Sequence, residues 1–151
     1  MDPEFEKTYR SYYQELFRIA AKMLQATEDA KDVIQDVFTA YYFARTNEKV
    51  IRDTKNWLVR CTINKGIDYK RKMTRIVTME SPLPDTDESP HDEASDILNA
   101  IDHLSEKEQM LVVLYSEGYS YKEIAEITGH NYHSIGKTLS RILDKIKKHV
   151  L

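Results

Sequence analysis

The chain has 151 residues with four glycines and four prolines, too few for a strand-rich protein full of tight turns, and no stretch sustains apolar and polar alternation. These features exclude a sheet-based architecture and predict an all-α fold holding one mid-sized domain or two small ones. The longest apolar runs, such as Met110 to Tyr115, fall far short of a membrane span, so a cytoplasmic protein with no membrane insertion of its own is expected.

The formal net charge of -3 argues at first against a nucleic-acid partner. Its distribution reverses that impression. Between Thr78 and Asp96 lie Glu80, Asp85, Asp87, Glu88, Asp92, Glu93 and Asp96 with no lysine or arginine, and the chain outside that segment is net positive. Local charge decides steering and phosphate contact, so the whole-chain value is the wrong quantity.

The opening MDPEF could be encoded by two adjacent common cloning sites and carries no inference. From Glu6 to Gln25, Tyr9, Tyr12, Tyr13, Leu16, Phe17, Ala20, Met23 and Leu24 recur at helical spacing, which predicts a first amphipathic helix. Thr27 is the expected cap of a second, with Glu28 and Asp29 in the first turn, where the helix dipole favours anions. Ala30, Val33, Ile34, Val37, Phe38 and Tyr41 form its inner face. Asp29, Asp32 and Asp36, with Gln35 beside them, form an acidic outer stripe. Such a stripe is a solvated face, a divalent metal site or a docking surface for a basic partner helix. The metal reading is poor, because closely spaced aspartates on one straight helix, with no histidine nearby, do not make a cage.

Residues 45–53 lose periodicity and read as a loop, after which Thr54 can cap a helix running through Trp57, Leu58, Cys61 and Ile67 to about Lys72. That helix is strongly cationic, with Lys55, Arg60, Lys65, Lys70, Arg71 and Lys72 against Asp68, and Arg75 just beyond. A basic helix beside a loop suits single-stranded nucleic acid, because phosphates attract cations and unstacked bases need pockets and ring faces. Trp57 and Cys61 are expected in the core, the one as a packed ring and the other as a buried thiol; a stacking platform and a redox sensor are the lesser readings. An acidic, proline-containing linker is expected over 77–94, separating one helical domain at 6–76 from another at 95–151.

The second domain opens with Ala94, Ile97, Leu98, Ile101 and Leu104 at helical spacing. Ser105 and Glu108 then form a capping box before Met110, Leu111, Val113 and Leu114, and Gly118 ends that helix. Ser120 and Glu123 repeat the device. Ile124, Ala125 and Ile127 follow, Gly129 closes the helix, and Asn131 is placed to cap the last one. The last helix carries Ile135, Leu139, Ile142, Leu143 and Ile146 inward and shows His133, Lys137, Ser140, Arg141 and Lys145 outward. This is the pattern of a helix-turn-helix with a recognition helix for the major groove; the plain alternative is a helical hairpin with a solvated basic face.

Three stretches, DAKDVIQDVF, NWLVRCTINKGIDYKRK and LSEKEQMLVVLYSEGYSYKEIAEITG, occur in this order and resemble bacterial RNA polymerase sigma factors of the extracytoplasmic-function group in the sigma-70 family. The resemblance implies a non-enzymatic initiation factor with no catalytic residue, metal or cofactor, whose partners are core RNA polymerase, promoter DNA and an anti-sigma factor. It assigns Asp29, Asp32, Gln35 and Asp36 to polymerase docking. Recognition and melting of the minus-ten element fall to Arg45, Asn47, Lys55, Arg60, Asn64, Lys65, Asp68 and Arg71, and the minus-thirty-five element to Ser120, Tyr132, His133, Ser134, Lys137, Ser140, Arg141 and Lys145. The chain departs from the family at Gly136, where a cation is usual, and at His133 and Ser134, where a Gly-Thr pair is usual. A helix-turn-helix regulator acting without polymerase is the alternative.

Overall fold

The computed structural model describes residues 2–80 and 100–150. The chain divides into two compact units, Met1–Lys72 and Met73–Leu151. All regular structure among the described residues is helical.

In the first unit, α1 (Pro3–Leu24) and α2 (Thr27–Thr46) form an antiparallel hairpin. Asp2 caps α1 by accepting from the Glu4 amide at 3.0 Å, and proline takes the first helical position, where its missing N–H costs nothing. Helix α1 thus starts ahead of the expected Glu6. Gln25 turns the chain in the left-handed region at φ 55°, leaving two residues between the helices. The N-cap of α2 is Ala26 and makes no side-chain cap; Thr27 is the first helical residue rather than the cap.

Helix α2 continues through Thr46, so Arg45 belongs to its last turn and the loop is confined to residues 47–53. Helix α3 (Thr54–Glu80) is capped by Asp53, whose carboxylate accepts from the Asn56 amide at 2.9 Å, and not by Thr54. It is helical through residue 80, eight residues past the expected end at Lys72, and residues 73–80 contain neither glycine nor proline to break it. The first four residues assigned to the linker are therefore helical, and 81–94 lie outside the described residues.

The core of this unit is Leu16, Ile19 and Ala20 of α1, Ala30, Val33, Ile34, Val37, Phe38 and Tyr41 of α2, and Leu58, Val59, Ile63 and Ile67 of α3. Thr62 is also fully buried and satisfies its hydroxyl by donating to the Leu58 carbonyl at 2.8 Å. Gly66 brings α3 close to α1: a Cβ there would meet the Met23 thioether at 3.0 Å to Cε and 3.1 Å to Sδ.

This inner stripe corrects the expected register of α3. Trp57 and Cys61 fall on the opposite face with Arg60, Asn64, Asp68 and Arg71, at spacings of three and four residues. Both are half-buried rather than core, because Val59, Thr62, Ile63 and Gly66 fill the space against α1 and α2.

After the last residues of α3, the described part of the second unit holds a short helical stretch at 100–102, then α4 (Glu106–Ser116), α5 (Tyr121–Thr128) and α6 (Tyr132–Val150). Residues 94–98, expected to begin its first helix, lie outside the described residues, but Ala100 and Leu104 are buried. Both capping boxes form. The Ser105 hydroxyl accepts from the Glu108 amide at 3.2 Å while the Glu108 carboxylate accepts from the Ser105 amide at 3.1 Å, and Ser120 with Glu123 does the same at 3.1 and 3.0 Å. Gly129 closes α5 at φ 76°, and the Asn131 side chain caps α6 through the His133 amide at 2.9 Å.

Leu111 and Leu114 of α4, Ile124 and Ile127 of α5, and Ile135, Leu139 and Ile142 of α6 make the core. Val112 is buried where Val113 was expected, and Leu143 lies at the flank of the α6 stripe, 37% exposed, not inward. Buried Gln109 donates to the Leu104 carbonyl at 3.0 Å, which ties the entry of α4 to the preceding turn.

Candidate functional site

Three surfaces carry the residues singled out in the sequence. On α2, Asp32, Gln35 and Asp36 are exposed on the face opposite the buried stripe. Asp29 is different. It is half-buried, and its Oδ1 accepts a 2.6 Å hydrogen bond from the Tyr69 hydroxyl on α3. The bond to this carboxylate, with some burial, pushes the Tyr69 phenol up to about 12. The outward stripe therefore consists of Asp32, Gln35 and Asp36, with Asp29 anchored at its edge.

Beside the stripe lies a feature that periodicity did not reveal, an open aromatic groove of about 660 Å³ between α1 and α2, lined among others by Phe5, Tyr9, Tyr13, Phe38, Tyr42 and Phe43. Gln35 belongs to both stripe and groove. Tyr42 and Phe43 are 49% and 58% exposed. The signal was the run of Tyr41, Tyr42 and Phe43, three consecutive aromatics of which one helix face can bury only the first. The ring of Phe5 stacks on Tyr41 with centroids 5.8 Å apart, so the opening residues are part of the packing.

The second surface is the outer face of α3 with the 47–53 loop. Asn64, Asp68 and Arg71 are exposed on it, Arg60 is half-buried among them, and Lys65 lies at its margin. Trp57 shares this face, with its ring centroid 5.8 Å from that of Tyr41. Burial pushes the Cys61 thiol up against a smaller opposing pull from Lys65, which is the reverse of an activated thiolate.

Two residues expected with this surface are held elsewhere. Lys55 pairs with Glu15 of α1 at 3.6 Å. Arg45 is clamped by Asp2 at 2.7 Å and by the Tyr41 hydroxyl at 3.4 Å, a hydrogen bond that favours its charged form. Asn47 is the exposed C-cap of α2, at the mouth of the loop.

The third surface is α6 in its turn with α5. His133, Lys137, Ser140 and Arg141 are exposed on its outward face, Tyr132 is exposed at its start, and Ser134 is half-buried. Ser120 lies at the start of α5, its hydroxyl already accepting the Glu123 amide of the capping box. Lys145 points to α4, where its Nζ lies 2.7 Å from Glu108. Hydrogen bonds from Lys145 and from the Ser105 amide hold the Glu108 carboxyl below the usual carboxylate range. Asp144 is exposed one turn after Ser140. At Gly136 a Cβ would make only ordinary contact with Cε2 of the Tyr121 ring, at 3.5 Å, so its surroundings do not demand a glycine.

No group of three or more histidine, cysteine or acidic side chains suited to a metal ion exists among the described residues, and none of their helices is long and apolar enough to cross a membrane.

The chain matches two family models in series, Sigma-70 region 2 over residues 8–76 and Sigma-70 region 4 over residues 94–146. It is similar to RNA polymerase sigma factor SigV of Bacillus subtilis, 25% identical over 134 residues that cover 86% of this chain and 81% of that protein. It is also similar to the ECF RNA polymerase sigma factor SigX of Bacillus subtilis, 22% identical, with 99% of this chain and 85% of that protein covered. Among solved structures, the sigma factor RpoE of Bartonella quintana, in complex with the anti-sigma factor NepR, shares the fold with a TM-score of 0.62 at 19% identity, covering 99% of this chain and 98% of that one. The two helical units, the helix-turn-helix of the second and the serial match to regions 2 and 4 identify the chain as a member of the sigma-70 family, in its extracytoplasmic-function group.

Proposed function

We propose that the chain directs core RNA polymerase to selected promoters by dividing the work between its two units. Residues 6–76 dock on polymerase and open the minus-ten element; residues 95–151 bind the minus-thirty-five element. The observation that carries this reading is the separation of charge on the first unit, an exposed Asp32, Gln35 and Asp36 stripe on α2 and a cationic outer face on α3. A basic partner helix complements the first face, and its apolar side chains fit the adjoining aromatic groove. The second face attracts the phosphates of a displaced strand, while Trp57 and Asn64 provide a ring and a hydrogen-bonding amide for an unstacked base.

On the second unit, Lys137 and Arg141 carry the charge that brings α6 to the major groove, with His133 and Ser140 beside them on the exposed side. The chain works where polymerase works, in the cytoplasm. An anti-sigma factor is its expected control, since RpoE of Bartonella quintana is held in such a complex. The proposed chemistry is recruitment and strand opening, with no catalytic group of its own.

Run-off transcription with core enzyme on a promoter library tests the reading. A promoter-dependent transcript and co-purification with core enzyme are expected. Absence of both would leave a DNA-binding regulator that acts without polymerase.

A further inference from the structure

Gly136 interrupts an otherwise polar surface. It follows Tyr132 by one helical turn and precedes Ser140 by another on the same face of α6, and it lies beside the Tyr121 ring at the start of α5. A Cβ at this position would meet only one neighbour within 4 Å, the Tyr121 ring at 3.5 Å, and would otherwise stand in open space. The surface here is therefore a shallow recess with bare helix backbone as its floor and an aromatic edge as one wall. Tyr132 and Ser140 bound it along the helix, and both tyrosines are exposed, Tyr121 at 42% and Tyr132 at 53%.

A recess of this kind takes a small apolar group. It offers no charge and no free side-chain donor at its floor, so a guanine or adenine edge gains nothing by entering. The major groove projects one apolar group, the 5-methyl of thymine. We propose that Gly136 and Tyr121 form a thymine-methyl subsite, so that the recognition helix specifies one T·A pair of the upstream promoter element by apolar contact. This rests on the assignment of α6 to the minus-thirty-five element. Lys137 and Arg141, one and five residues on, supply the phosphate or base contacts that seat the helix, while the recess distinguishes thymine from cytosine, whose ring carries no methyl.

The test uses the full chain bound to core RNA polymerase and a promoter obtained by selection. Each thymine of the upstream element, on both strands, is replaced singly by deoxyuridine, which removes only the methyl group, and the dissociation constant is measured. One position is expected to weaken binding about fourfold, the effect of losing one buried methyl. Gly136→Ala fills the recess with a methyl of its own. The variant is expected to fold, because alanine is the better helix former and its Cβ makes ordinary contact with Tyr121. It should lose the thymine-to-uracil difference at that one position and keep base preferences elsewhere, and Tyr121→Ala should shrink the same difference. A promoter indifferent to every deoxyuridine, or an unchanged difference in Gly136→Ala, overturns the subsite while leaving the assignment of α6 intact. Selection of promoters with no upstream element overturns the assignment itself, and the subsite with it.

Discussion

The Tyr69 hydroxyl of α3 donates a 2.6 Å hydrogen bond to Asp29 of α2, forty residues away in sequence. The bond joins the helix that carries the acidic stripe to the helix that carries the cationic outer face.

Tyr69→Phe removes the bond and leaves a half-buried carboxylate with one partner fewer. A loss of about 1 kcal/mol in unfolding free energy is expected, measured by denaturant titration. The phenol's pKa is raised from 10.0 to about 12 in the folded chain, so the fold favours the protonated hydroxyl. That contribution is complete below pH 10 and is lost as pH rises through the folded value. Stability should fall between pH 10 and pH 12 more steeply in the parent chain than in Tyr69→Phe.

Asp32 and Asp36 are exposed, and neither belongs to the core of its unit. The double substitution Asp32→Lys with Asp36→Lys should leave the melting temperature within a few degrees of the parent, as surface changes do. Affinity for core polymerase should fall by about tenfold or more, since like charges then face a basic helix. Unchanged affinity, read by competition for core enzyme, would remove the stripe from the docking surface. Asn in place of Asp29 should act mainly on stability, through Tyr69.

Glu108 completes a capping box and pairs with Lys145. Its carboxyl is held below the ordinary range, so the ionised form stabilises the fold. That stabilisation is present above the unfolded value of 4.5 and is lost as pH falls through the lower folded value. Glu108→Gln should flatten this acid limb in thermal melts. It also frees Lys145, so promoter binding should gain salt dependence, by about one unit of slope if the amine reaches a phosphate.

Arg141 and Lys137 should separate by the kind of contact each makes. Arg141→Ala is expected to cost about 1–3 kcal/mol on the selected promoter and to relax one base position. Lys137→Ala should weaken all sequences alike and reduce the salt slope by about one. Binding measured over a range of salt on matched and mismatched promoters distinguishes the two.

The caps of the second unit were legible because they are local. Ser105 with Glu108, and Ser120 with Glu123, join residues three apart, a relation that any helix start imposes. The caps of the first unit differ from those the sequence suggests, for an equally local reason. Ala26 and Asp53 precede the threonines at which the helices begin, and a threonine at the first helical position looks like a cap in sequence. On α3 the spacing of Trp57, Leu58, Cys61 and Ile67 suited a buried stripe, yet the competing set of Leu58, Val59, Thr62, Ile63 and Ile67 won the core. Its small and branched side chains, with Gly66 between them, allow closer approach to α1 than an indole would.

The sequence by itself determined an all-helical chain, the helix-turn-helix and its capped ends, and the exposed acidic and cationic faces, because periodicity and capping act within one or two turns. Tertiary structure alone decided that Asp29 is bound to Tyr69, that Lys145 is committed to Glu108 across 37 residues, that Trp57 is half-buried beside Tyr41 and outside the core, and that Gly136 lies against Tyr121. Those outcomes depend on which helices come into contact and at what height along their axes. Helical spacing specifies the face a residue occupies but not the partner that face meets.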